Sequence, residues 1–308
     1  MSKAAKIFLA VFIVLFVLVF FSLIIMTGSE EMTSGEGKVA RINLSGTVQE
    51  IGSGFGVGGI TPAFVEDQLN KARENDVEAV VLRINTPGGS VAASQEIAEM
   101  IDDYEKPVVI SMGDVAASGG YYISAPADAI VARPGTQTGS IGVIFTMVNP
   151  EGLYEKLGLE TETITSGEHK DMFSRGFTEK ERQLVQDLSD EAYNQFIEEI
   201  VRGRDLSGEE VRELATGEIF MGSQAHKLGL VDELGGYKQA LEVAGSLAEI
   251  EDPEYYELPG PSFAEMFMRY SARLPSLLKN TFLPEDALML EKLEEGLAPG
   301  LEYRVKGY

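Results

Sequence analysis

The sequence has no cysteine and no tryptophan, and only two histidines, His169 and His226. Without cysteine there can be no disulfide framework, thiol nucleophile or thiolate metal centre. Two histidines leave too little for a histidine-built metal site. Positive charge is also scarce: 25 lysines and arginines stand against 49 acidic residues, a formal net charge of −24. A nucleic-acid partner needs a basic stripe to neutralise phosphates, so that class is set aside. The acidity itself means solubility, in a salt-rich setting or as a face for a partner. Any hydrolytic chemistry must then draw on hydroxyl, carboxylate or amine groups.

What is present begins with an apolar run from Ile7 to Met26, in which Ser22 is the only polar residue. About 20 residues at a rise of roughly 1.5 Å span a hydrocarbon core of roughly 30 Å. Lys3 and Lys6 precede the run and Glu30 and Glu31 follow it. That asymmetry predicts a cytoplasmic N-terminus, with the rest of the chain exported. A cleaved signal peptide would have a shorter apolar region and a small-residue cleavage site, and the MTGSEEM that follows offers none. The expectation is a retained anchor over 1–26 and a Gly, Ser and Glu rich tether over 27–38.

The chain has 308 residues, 44% of them hydrophobic, enough for a substantial core. VARINL (39–44) alternates, while AVVLRI (79–84) and PVVISM (107–112) are almost continuously apolar. Such runs suit strands buried on both faces of a parallel sheet. Helical patterns lie between them, one starting at Pro62 and one carrying Ile97, Met100, Ile101 and Tyr104 on one face. This rhythm predicts right-handed βαβ crossovers and an α/β fold. Further on, Thr178 and Glu181 form a capping box that opens a long helix; a short helix follows Ser207 and another spans about 236–248. The domain is expected over 39–248, with 249–308 as an extension of uncertain order. GSGFGVGG (52–59) reads as a mobile loop, because its glycines do not stand between a strand and a helix as a phosphate-binding turn requires.

Two glycine-containing segments follow predicted strands. TPGGS (86–90) allows positive φ and a close approach of backbone to ligand, and a tight βα turn accounts for it equally well. AASGGYY (116–122) places Ser118 at the start of a helical stretch, where free N–H groups favour developing negative charge. Gly119 leaves its N–H unobstructed beside that serine, as an oxyanion donor would be; a plain N-cap is the alternative. A serine hydroxyl needs a base to become a nucleophile. His169 with an acidic partner is one option, and the adjacent Lys170 is the other, because burial can hold a lysine amine neutral enough to act as a base. Met172 and Phe173 are near in sequence to supply apolar surroundings. Ser140, in TGSIGV (138–143), offers a hydroxyl that could orient an amine. No G-x-S-x-G elbow occurs, which argues against an α/β-hydrolase.

Taken in order, RINTPGGSVAAS (83–94), SMGDVAASGGYYISAPAD (111–128), TGSIGVI (138–144), SGEHKD (166–171) and VDELGG (231–236) resemble signal peptide peptidase A in its short, single-domain form. The resemblance covers about residues 1–248, and the pairing of AASGGYY with SG-x-x-KD is its most specific part. It implies a Clp protease/crotonase-like fold of ββα units and a Ser-Lys dyad, Ser118 as nucleophile and Lys170 as general base. It further implies an oxyanion hole at Gly89 and Gly119, and Ser140 as the hydroxyl that orients the lysine. No cofactor and no metal are expected. The expected partners are peptide substrates, chiefly signal-peptide remnants, the membrane, and further copies of the chain in a homo-oligomeric ring that shares the dyad between neighbours. An acyl-CoA hydratase or isomerase of the same fold superfamily, and a tethered ring without turnover, are the competing readings.

Overall fold

The computed structural model describes residues 37–51 and 59–258. The expected anchor, most of the tether, the loop at 52–58 and the chain from 259 onward lie outside the described residues. In chain order the elements are β1 (Lys38–Ser45), α1 (Pro62–Glu74), β2 (Ala79–Thr86), α2 (Val91–Asp102), β3 (Val108–Ala117), α3 (Gly119–Tyr122), β4 (Ala129–Ala132) and β5 (Gln137–Gly139). There follow α4 (Glu151–Leu157), α5 (Glu179–Gly203), α6 (Gly208–Leu214), β6 (Ile219–Met221), α7 (Gly222–Lys227), β7 (Glu233–Leu234), α8 (Tyr237–Leu247) and β8 (Glu254–Glu257).

The apolar runs form the centre of a largely parallel sheet. β2 lies between β1 and β3, and the periodicity of two divides its side chains between two helical layers. Val80, Leu82 and Ile84 pack with α1, α2 and α5, alongside Ile42, Leu44, Ile110 and Met112. Ala79 and Val81 face the opposite way with Val39, Val109 and Val131, onto Ala240 and Ala244 of α8. Both faces are covered, which is why the strands read as unbroken apolar runs.

β3 extends beyond the apolar run, to Ala117, through a bulge. Ile84 pairs with Met112 but Thr86 pairs with Ala116, so β3 carries two extra residues at this point. The Asn85 side chain fills the gap, its Oδ1 accepting the N–H of Val115 at 3.1 Å. The bend splits the strand's partners: residues 109–111 pair with β4, and residues 115–117 pair with β5. β5 in turn pairs antiparallel with β6. The sheet therefore forks, and its diverging branch ends at Ala117 and Gly139.

α5 begins as its capping box predicts, with Thr178 as N-cap and Glu181 reciprocating. Its inner face carries Val185, Phe196, Ile197 and Ile200 into the core. Between Gly142 and Lys180 no residue is buried, and α4 lies wholly in this segment. The last strand, β8, lies past residue 248 and pairs parallel with β1, so the folded unit runs to Leu258.

Candidate active site

The fork delivers two serines side by side. In the parallel β3–β5 register Ala117 is opposite Gly139, so Ser118 and Ser140 are the next residues on adjacent strands. The Ser118 N–H donates to Gly139 O at 2.8 Å, and the Ser140 N–H donates to Glu218 O at 2.7 Å. Both serines carry positive φ, 54° at Ser118 and 50° at Ser140. For a side-chain-bearing residue that conformation costs on the order of 1–3 kcal/mol and persists only where its surroundings over-determine it. At Ser118 those surroundings are a strand on one side and the single turn of α3 on the other, with Ser118 O accepting from Tyr121 N and Tyr122 N. Being one turn long, α3 supplies individual N–H groups rather than the dipole of a long helix.

The PGG turn closes over this serine. Gly88 has φ of +101°, and a Cβ at that position would lie 2.7 Å from Gly119 N and 2.9 Å from Ser118 Cβ. Gly89 is held against residue 48: Val48 N donates to Gly88 O at 3.0 Å, Ser90 N donates to Val48 O at 2.8 Å, and a Cβ on Gly89 would meet Val48 O at 2.0 Å. A Cβ on Gly119 would lie 3.2 Å from Gly89 N and 2.6 Å from Ser94 Oγ. The backbone nitrogens of Gly89 and Gly119 are thus close neighbours in the backbone around Ser118. Neither makes a backbone hydrogen bond within the described residues. Two such donors are the furniture of an oxyanion site.

Ser118, Gly119, Gly89 and Ser140 line one cavity of about 580 Å³. Its floor is apolar, with Ile141, Tyr122 and Phe196; the last two rings pack in a tilted arrangement with centroids 5.0 Å apart. Burial raises the Tyr122 hydroxyl above its usual range, with nearby Glu199 adding to the shift, so it stays protonated. Gln186, Ser189 and Asp190 of α5 form a polar rim. The cavity suits an apolar side chain next to a peptide carbonyl held at Ser118.

Lys170 is not in this cavity. It stands exposed in the run of turns over 166–175, within the segment that buries nothing. Its two neighbours are fixed: His169 Nδ1 lies 3.1 Å from Glu181 Oε1, and Asp171 accepts both Nε and Nη2 of Arg175. Arg175 also donates twice to Glu181, at 2.8 and 2.9 Å. That guanidinium holds the Glu181 carboxyl far below the usual carboxylate range, helped by the N–H of Thr178 and by His169. It lowers Asp171 in the same way. The described chain therefore unites four of the five expected residues and leaves the lysine apart.

Sequence comparison shows the family of the chain. The model of peptidase family S49 matches residues 101–251, and a Clp protease model matches residues 61–138. A Synechocystis protein named as a protease is 41% identical over 73% of this chain and 79% of its own length. A Methanocaldococcus jannaschii protein named as a protease is 34% identical over 83% of this chain and 86% of its own. The chain belongs to peptidase family S49. It is a serine peptidase with a Clp-protease-like α/β domain. A family S49 relative from Enterococcus faecium, named as a signal peptide peptidase, is 36% identical over 71% of this chain and 68% of its own. The sequence had singled out the serines and glycines that the fold brings together here. It missed the positive φ of both serines, which no residue type signals, and the Arg175–Glu181 pair, half visible as a capping box.

Proposed function

We propose that this chain is a membrane-anchored serine endopeptidase that works outside the cytoplasm by a Ser-Lys dyad, on signal-peptide remnants and other extended peptides. One observation carries the reading: Ser118 stands in a strained backbone at the mouth of an apolar-floored cavity, beside the paired N–H groups of Gly89 and Gly119. The Lys170 amine takes the Ser118 proton as the hydroxyl attacks the scissile carbonyl. The N–H groups of Gly89 and Gly119 receive the oxyanion. The lysinium protonates the leaving amine, and water then releases the acyl-enzyme with Lys170 again as base. The Ser140 hydroxyl, next to Ser118 in the strand register, orients the amine.

A lysine serves as base only where it is desolvated. In the single chain Lys170 is exposed and outside the cavity, which supports a ring in which one subunit lends its lysine to the serine of the next. The exposed apolar residues of the same segment, Ile144, Phe145, Val148, Leu153, Leu157 and Ile164, support contact with such a neighbour. A ring would admit extended peptides and spare folded exported proteins. The anchor rests on the apolar run of residues 7–26.

Peptide hydrolysis by the full-length chain in detergent tests the dyad. Ser118→Ala and Lys170→Ala should each abolish turnover, while His169→Ala keeps most of it. Mixing the two inactive variants should restore part of the activity, because hybrid rings contain intact serine–lysine pairs. An active Lys170→Ala with an inactive His169→Ala would replace the lysine by a histidine base.

A further inference from the structure

Glu181 is the first buried residue after a stretch of nearly forty that bury nothing, and it is a carboxylate, 1% exposed. Its Oε1 accepts from Arg175 Nη2 and faces His169 Nδ1. Its Oε2 accepts from Arg175 Nη1 and from both the N–H and the hydroxyl of Thr178. Of these, a helix cap needs only the bond from the Thr178 N–H. The contacts with His169 and Arg175 reach back to the two residues flanking Lys170: His169 directly, and Asp171 through Arg175. The same turn is also held by Ser174 Oγ, which donates to Asp171 O at 2.7 Å, and by the Phe173 ring against Phe145 and Phe177. Its backbone bonds are single-turn contacts, Lys170 N to Gly167 O and Met172 N to His169 O, each at 3.3 Å. The other charges facing it are Glu168, 3.8 Å from His169 Nε2, and Lys180, which pairs with Glu168 at 3.0 Å.

We infer that Glu181 with Arg175 is a positioning clamp, to which His169 adds a lesser contact, that fixes the turn bearing Lys170 to the N-terminus of α5. The clamp holds the backbone on both sides of the lysine. This inference rests on the reading of Lys170 as the general base. It assigns His169 a supporting part in an otherwise histidine-free site, and it explains why a buried carboxylate with five polar contacts to three residues stands where the apolar core ends.

The test measures kcat, KM and the pH dependence of kcat for full-length Glu181→Gln and Arg175→Lys, with Lys170→Ala and Ile200→Val as controls. Ile200 is fully buried on the same helix and outside both clamp and cavity, so its variant loses stability alone. A loosened turn lets water reach the amine, so the neutral form is reached only at higher pH. Both clamp variants should lower kcat by about tenfold or more, leave KM within about twofold, and move the acidic limb of kcat upward by about half a pH unit or more. Ile200→Val should change none of these. Wild-type kcat and an unmoved limb in the clamp variants, beside an inactive Lys170→Ala, would overturn the clamp alone. Equal changes in Ile200→Val would reduce it to general stability. An active Lys170→Ala would instead remove the base on which the inference stands. Should Glu181→Gln fail to fold, Arg175→Lys decides, because its partly exposed side chain keeps the charge and loses only the paired geometry.

Discussion

A single methyl in place of a hydrogen separates Gly119 from an alanine, and the space it would need is already occupied. A methyl there would press on Ser94 Oγ at 2.6 Å, beside the N–H proposed to receive the oxyanion. Gly119→Ala should therefore cost about 10²–10³ in kcat, the usual price of one oxyanion donor. Ser94 is buried, and its hydroxyl donates to Ser90 O at 2.8 Å. Removing that hydroxyl opens room for the methyl, so Gly119→Ala with Ser94→Ala should recover part of the lost kcat. Steady-state kinetics of the two single variants and the double variant check this, and a double variant no faster than Gly119→Ala would mean the methyl acts directly on substrate. At this scale the sequence was partly legible. Serine and glycine types are visible in a string, and AASGGYY carries them. The positive φ at Ser118 and Ser140 is imposed by two strand ends meeting, and no single position records it.

Helix α5 shows how far an element can be read. Thr178 and Glu181 stand at capping-box spacing, and the helix starts there with both reciprocal bonds formed. Thr178→Ala should cost about 1 kcal/mol, the ordinary loss of an N-cap. In a domain of this size that is a fall of about 2–4 °C in melting temperature, measurable by calorimetry. β3 was legible only to Met112, because Gly113 and Asp114 interrupt the apolar run. Those two residues are where the strand bulges around the Asn85 side chain, and the bulge is what turns Ser118 toward β5. β8 was not legible as strand at all. EYYE alternates too briefly to signal one, and its place follows from β1 offering a free edge.

For the whole molecule, the segment 142–180 is the anomaly: it exposes a set of large apolar side chains while α4 buries none. If neighbouring subunits cover it, Leu157→Glu should convert the assembly to smaller species and remove peptidase activity, as light scattering after size exclusion would report. An active, still assembled Leu157→Glu would move the interface elsewhere. Acid stability offers a second check. Arg175 holds the Glu181 carboxyl below the ordinary value of 4.5, so the pair stabilises the fold above that pH. The contribution is lost as pH falls below about 4.5 toward the depressed value. The gap in melting temperature between wild type and Glu181→Gln should thus be wide at neutral pH and shrink on acidification below pH 4.5. An unchanged gap would show that the carboxylate's charge is not what stabilises.

The pairing of β1 with β8 sets an order of events. Lys38 meets Glu254 in register, so the first strand of the domain finds its outer partner only among the last described residues. Until then one flank of β1 offers unsatisfied N–H and C=O groups, a template for any passing extended chain. For a polypeptide that emerges N-terminus first, this flank is open throughout synthesis or passage across a membrane. The sheet's closure is thus a terminal event, and its long loop makes it slow. A shortened chain ending before Glu254 would keep Ser118 and the glycines around it yet leave that edge bare, prone to join strands with its own copies.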